Sequence, residues 1–88
     1  MKVVIGEAGL NNTWQKPFPA TTKCVHCDGT SRIGFVAHEL EPDEEGPHVW
    51  SLHPNEPEGE GYWLHDSCAV AVYFCKGCLN TTALYNQG

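Results

Sequence analysis

Lys23-Cys24-Val25-His26-Cys27-Asp28-Gly29 and Cys75-Lys76-Gly77-Cys78 decide the fold of this 88-residue chain. Each stretch is a C-x-x-C turn, which sets two sulfurs on one local loop. Two such turns supply four thiolates, the number a tetrahedral ion needs. They are separated by 47 residues, enough for a hairpin-rich insertion. With Cys24, Cys27, Cys75 and Cys78 all ligating, no position stays open for water. The expected site is therefore structural rather than catalytic, and Zn²⁺ is the expected ion, with iron as the alternative on the same sulfurs.

Chain length gives this site its importance. Eighty-eight residues make a single domain. A chain this short buries only about two-thirds of its unfolded surface. Such domains gain stability from disulfides, a metal or association. Five cysteines are an odd number, which fits poorly with a fully paired disulfide framework. The apolar start, Met1–Gly6, is too short for a secretory h-region, and no stretch approaches a membrane span. A reducing, cytoplasmic location is the expectation, and there thiols bind metals more often than they pair.

The residues around the turns suit a thiolate centre. Lys23 precedes the first ligand and Lys76 lies inside the second turn, so both can offset negative charge. Gly29 and Gly77 let backbone N–H groups face sulfur. The formal net charge is −6. Glu39 to Glu60 carries eight acids and no Lys or Arg; the rest of the chain has five basic and three acidic residues. Overall charge therefore argues against non-specific nucleic-acid binding, which depends on Lys and Arg meeting phosphates.

Other segments read as follows. Lys2–Ile5 is a short strand and residues 6–12 a turn. Trp14 and Phe18, the latter between Pro17 and Pro19, anchor an extended arm across the core. Residues 33–40 form a strand with Ile33, Phe35 and Ala37 on one face and Arg32, Gly34, Val36 and His38 on the other. Glu41–Pro47 is an acidic loop, His48–His53 a strand carrying Trp50 and Leu52, 55–61 a second loop, and 62–64 the start of a third strand. Residues 68–74 are an unbroken apolar run, expected as a buried central strand; a buried helix capped by Asp66 or Ser67 is the alternative. After Asn80 the chain forms one or two helical turns or a tail.

At this point the chain resembles zinc ribbons and the related rubredoxin-like domains. The matching residues are Cys24-Val-His-Cys27 and Cys75-Lys-Gly-Cys78. The usual knuckle has Gly directly after its second Cys; here Asp28 and Leu79 stand there. A treble-clef arrangement would require a helix after Cys75. The resemblance implies β-hairpins between the turns. The expected architecture is a small β-rich domain over 1–88, mainly antiparallel. Residues 1–22 form a strand and arm, 23–79 the metal-binding core with three or four strands, and 80–88 a tail or short helix.

Cys68 and His65 are extras. In a strand Cys68 and Cys75 lie about 23 Å apart, and in a helix about 10 Å. Neither puts both sulfurs on one ion, so Cys68 reads as a small buried apolar residue, with a redox or second-metal role beside His65 as the alternative. His26 reads as an exposed loop residue, with exchange for Cys27 as the sharper option. His48 and His53 read as rim residues, and Glu39, Glu41, Asp43, Glu44 and Glu45 as a solvated loop.

The functional expectation is a zinc-stabilised protein-interaction module without catalysis, whose partner presents a basic surface. A nucleic-acid-associated ribbon gathering Lys2, Lys16, Lys23, Arg32 and Lys76 is the second reading. A rubredoxin-like iron electron carrier is the third. Dithiol oxidoreductase chemistry would need a free C-x-x-C in a thioredoxin-like βαβ pattern, which the sequence lacks.

Overall fold

The computed structural model describes residues 2–13, 16–38, 45 and 68–87. They form a small antiparallel sheet with almost no helix. The strands are β1 (Lys2–Ile5), β2 (Thr21–Lys23), β3 (Thr30–His38), β4 (Cys68–Cys75) and β5 (Thr81–Gln87). A single 3₁₀ turn, Gly6–Gly9, follows β1. The sheet order is β1-β3-β4-β5, and β2 pairs with the other half of the β3 edge that β1 occupies.

The apolar run becomes the strand expected for it. β4 is hydrogen-bonded on both sides, to β3 and to β5. Its two faces differ: Val70 and Val72 are half-buried and Phe74 is exposed on one. Ala69, Ala71, Tyr73 and Cys75 alternate with these and are all buried. The N-terminal arm covers that face: Phe18 joins Val36, Ala69, Ala71 and Tyr73 in one core, with Leu10, Ile33 and Leu84 packed against it. The alanines leave room for the arm's larger side chains. Burying Phe18 contributes about 1.5–3 kcal/mol, and its N–H donates to the Leu10 carbonyl at 3.0 Å. The Tyr73 hydroxyl donates to the Pro19 carbonyl at 2.7 Å. Burial pushes its pKa up, which keeps it a donor. Phe18 is thus the anchor expected of it.

Three expectations are corrected. First, the facing of β3 changes midway. Ile33 lies opposite Tyr73 but Phe35 lies opposite Val72, so the register shifts at Gly34. Directly opposed residues share a face. Ile33 and Val36 therefore point to the covered side, while Phe35 and Ala37 point to the other. One extra residue in a strand reverses its alternation. Second, the chain after Asn80 forms neither a tail nor helical turns: Thr81–Gln87 is strand β5, in register with β4 from Phe74↔Thr81 to Cys68↔Gln87. That also removes the treble-clef option. Third, the sheet has five strands among the described residues alone, rather than three or four. The expected strands at 48–53 and 62–64, the acidic loop apart from the exposed Glu45, Trp14 and His65 lie outside the described residues.

Candidate metal centre

The fold brings both C-x-x-C turns to one end of the sheet. The first joins β2 to β3 and the second joins β4 to β5. Ser31 lies opposite Cys75 in the ladder, so the two strand ends that carry the turns are neighbours.

The turns are built alike. The Asp28 N–H donates to the Cys24 carbonyl at 3.0 Å, and the Leu79 N–H to that of Cys75 at 3.1 Å. The Cys24 N–H donates to the Gly29 carbonyl at 2.8 Å, and the Cys75 N–H to that of Asn80 at 3.0 Å. Each turn closes through a left-handed residue: Asp28 and Leu79 both have φ 64°. These are the positions where Gly would ordinarily stand. The Cβ of an L-residue in this conformation crowds the following carbonyl, at about 1–2 kcal/mol. The turn geometry is therefore kept even without the residue that adopts it most easily.

All four sulfurs lie within 4.8 Å of one another. The Cys24 and Cys78 sulfurs are 3.6 Å apart, and those of Cys27 and Cys75 are 3.5 Å apart. A disulfide would hold sulfurs at about 2.05 Å. A tetrahedron with metal–sulfur bonds of about 2.3 Å places its corners about 3.8 Å apart. The donor set thus fits a four-coordinate ion in both number and spacing. Cys24 and Cys75 are buried, Cys78 is half-buried and Cys27 is exposed at the rim.

Backbone dipoles point into the cluster. The N–H groups of Cys27 and His26 lower the Cys24 thiol to about 6; the His26 N–H lies 3.3 Å from that sulfur. The N–H groups of Cys78 and Gly77 lower Cys75 in the same way. Cys27 goes in the opposite direction. The Gly29 N–H lowers it, but contact with the Cys75 and Cys78 sulfurs outweighs this and pushes it up to about 12. Without a cation, then, ionising some of these thiols holds another protonated. A bound cation removes that conflict and displaces the protons the thiols still hold.

A second layer fixes the ligands. The Asn80 side-chain amide donates to the Cys78 sulfur at 3.4 Å. The Val25 N–H donates to the Thr82 hydroxyl at 3.1 Å, tying the first turn to β5. Groups of this kind orient ligands and tune a metal's affinity. Both lie just after the second turn, where the sequence reading expected no strand, so their part was not visible in it. Lys23 pairs with Asp28 at 3.7 Å, both well exposed, a contact worth little in water. Ser31, beside Cys75, buries a hydroxyl that has no hydrogen-bond partner among the described residues.

Of the other sequence candidates, His26 and the backbone of Cys68 are among the described residues. His26 is exposed and contributes its backbone N–H rather than its ring. Cys68 begins β4 while Cys75 ends it, which places the two about 23 Å apart. Comparison with family models, with curated proteins and with solved structures finds no match to this chain. The centre is therefore understood from its geometry: a possible four-cysteine metal site at the end of a ribbon-like sheet.

Proposed function

We propose that this chain is a zinc-stabilised protein-interaction module whose metal has a structural role and which catalyses nothing itself. The observation that carries this reading is the closed shell: four sulfurs from two like turns, spaced for one tetrahedral ion. With four protein ligands no coordination site is left for a substrate. Zinc suits the set because thiolates satisfy its softer side and tetrahedral geometry costs it nothing. When bound, the ion supplies cross-linking and charge neutralisation. Cys24 and Cys75, already drawn toward thiolate by backbone N–H groups, would hold it from the buried side, and Cys27 and Cys78 from the rim.

Magnitudes support the structural role. A site of this kind contributes about 10–16 kcal/mol of apparent binding energy at neutral pH. The net stability of a domain is about 5–15 kcal/mol. The metal then decides whether the fold persists. The acidic Glu39–Glu60 stretch suits a partner with a basic surface, and cysteines kept as thiols suit a reducing compartment such as the cytoplasm.

Native mass spectrometry of the purified protein, with elemental analysis, tests the reading. One zinc per chain is expected, and removing it with a chelator should abolish the sheet's circular-dichroism signal. A red, iron-loaded protein would favour the electron-transfer alternative. A metal-free chain that stays folded would overturn the proposal.

A further inference from the structure

Away from the metal, the arm and strand β5 border an open groove of about 640 Å³, lined by Lys16, Pro17, Phe18, Pro19 and, from β5, Ala83, Leu84 and Tyr85. Among the described residues β5 pairs with β4 alone, so its outer edge offers unpaired backbone groups. Such an edge is a template for another strand.

The arm lies beside this edge but does not pair with it. Pro17 and Pro19 have no N–H. The Phe18 N–H is taken by the Leu10 carbonyl. The Lys16 carbonyl accepts from the Thr13 hydroxyl at 3.3 Å, and the Pro19 carbonyl accepts from Tyr73 at 2.7 Å. The Phe18 N–H and the Lys16 and Pro19 carbonyls are thus engaged elsewhere, and among the described residues the arm forms a wall rather than a further strand. Among the described residues Lys16 is the one charged residue lining the groove. It is exposed and forms no ion pair among the described residues.

We propose that this groove is a peptide-docking site: an extended, acidic segment of a partner protein pairs with the β5 edge and sets a carboxylate against Lys16. Main-chain bonds along the edge give affinity, and the Phe18–Leu84 floor takes an apolar side chain. The position of Lys16 selects the sign of the partner's charge. The inference goes beyond the proposed module in naming a binding groove built from residues other than the acidic Glu39–Glu60 stretch.

Three ten-residue synthetic peptides serve as probes for NMR titration of the ¹⁵N-labelled, metal-loaded chain. The first alternates Val and Thr and carries one terminal Glu; the second replaces that Glu with Lys; the third places Pro at alternate positions. The Glu peptide should shift the signals of Ala83–Tyr85 and Lys16–Phe18. The Lys peptide should bind about tenfold more weakly, and the Pro peptide should not bind. In the Lys16→Glu variant the preference between Glu and Lys peptides should reverse. Equal binding of all three, shifts confined to other residues, or no binding to a folded and metal-loaded chain would overturn the groove assignment. A dimer that dissociates in Lys16→Glu would overturn it in favour of a second copy as occupant. The spectrum and metal content of the starting sample report on the metal reading separately, so the two can fail independently.

Discussion

The backbone N–H of Val25 donates to the hydroxyl of Thr82 at 3.1 Å, joining the first metal-binding turn to the strand that follows the second. Thr82 is 3% exposed, whereas Val25 lies on the exposed turn at 71%, so water can reach the freed N–H. Thr82→Val keeps the shape and removes the oxygen. Losing a hydrogen bond of this kind costs about 0.5–1.5 kcal/mol. The variant should lower stability by that amount. It should also release metal about tenfold faster to a chelator, because the loop carrying Cys24 and Cys27 loses its tether. A release rate equal to wild type would show that the two turns hold the ion without this bond.

The left-handed residues offer a gain rather than a loss. Leu79 is 81% exposed with φ 64°, so its side chain gives little packing in return for the crowding of its Cβ. Leu79→Gly removes about 1–2 kcal/mol of that crowding and returns about 0.5–1 kcal/mol to the unfolded chain's freedom. The expected outcome is a net stabilisation of about 0.5–1 kcal/mol in chemical denaturation of the metal-loaded protein. Asp28→Gly should gain less, because Asp tolerates this conformation better than Leu. Destabilisation by Leu79→Gly would mean that the leucine makes a contact in the folded chain that outweighs its strain.

How much of this was legible in the sequence varies with the residue. The cluster was, because two C-x-x-C turns can close one shell only by meeting, and the fold brings them together. β4 was, because eight apolar residues leave few other placements. β5 was not: Thr82 and Leu84 face the covered side while Thr81, Ala83 and Tyr85 face out, and that mix of small, polar and aromatic residues has no clear alternation. β2, at three residues, is too short to show a period. The facing of β3 departs from strict alternation at Gly34, and an isolated glycine inside a strand pattern is itself a signal for a bulge. That Leu79 would adopt a left-handed turn follows from the paired turn geometry and from nothing in leucine's own preferences.

Gly34 also makes room for an aromatic ring. A Cβ at this position would overlap the ring of Phe74 on the neighbouring strand. Phe74 is 46% exposed, so in Gly34→Ala the ring can swing outward. Doing so forfeits its tilted contact with Phe35, now at 6.3 Å between centroids. Such a ring pair is worth about 0.5–1.5 kcal/mol beyond burial. Gly34→Ala should cost about 1–2 kcal/mol in the native background and much less in a Phe74→Ala background. A double-mutant cycle by urea denaturation measures the difference directly. Additive losses would place the cost in the backbone of the bulge rather than in the ring.

Metal loading should depend on pH with a sign fixed by the thiols. Cys24 is lowered to about 6 and Cys27 raised to about 12. At pH 7 the first is therefore already a thiolate and the second still a thiol. Binding displaces the Cys27 proton throughout this range, so affinity rises with pH. Below about 6 Cys24 is reprotonated as well, and one more proton competes with the metal. In linkage terms, the lowered group stabilises the folded chain above its unfolded value of 9.0, and this is lost as pH falls through about 6. The raised group acts in the opposite sense, losing its contribution as pH rises toward about 12. Competition with a chromophoric chelator across pH 5 to 8 should therefore show log Kd increasing as pH drops; a metal-free chain that keeps its fold gives a steeper slope below about 6, and one that unfolds, as the structural role requires, gives a single steep slope because its thiols start from their ordinary value of 9.0. Replacing Cys24 would abolish the site, so the informative control is the slope itself. A pH-independent affinity would mean that the four sulfurs enter binding fully ionised, and the conflict among their charges would then lie outside the metal-free fold.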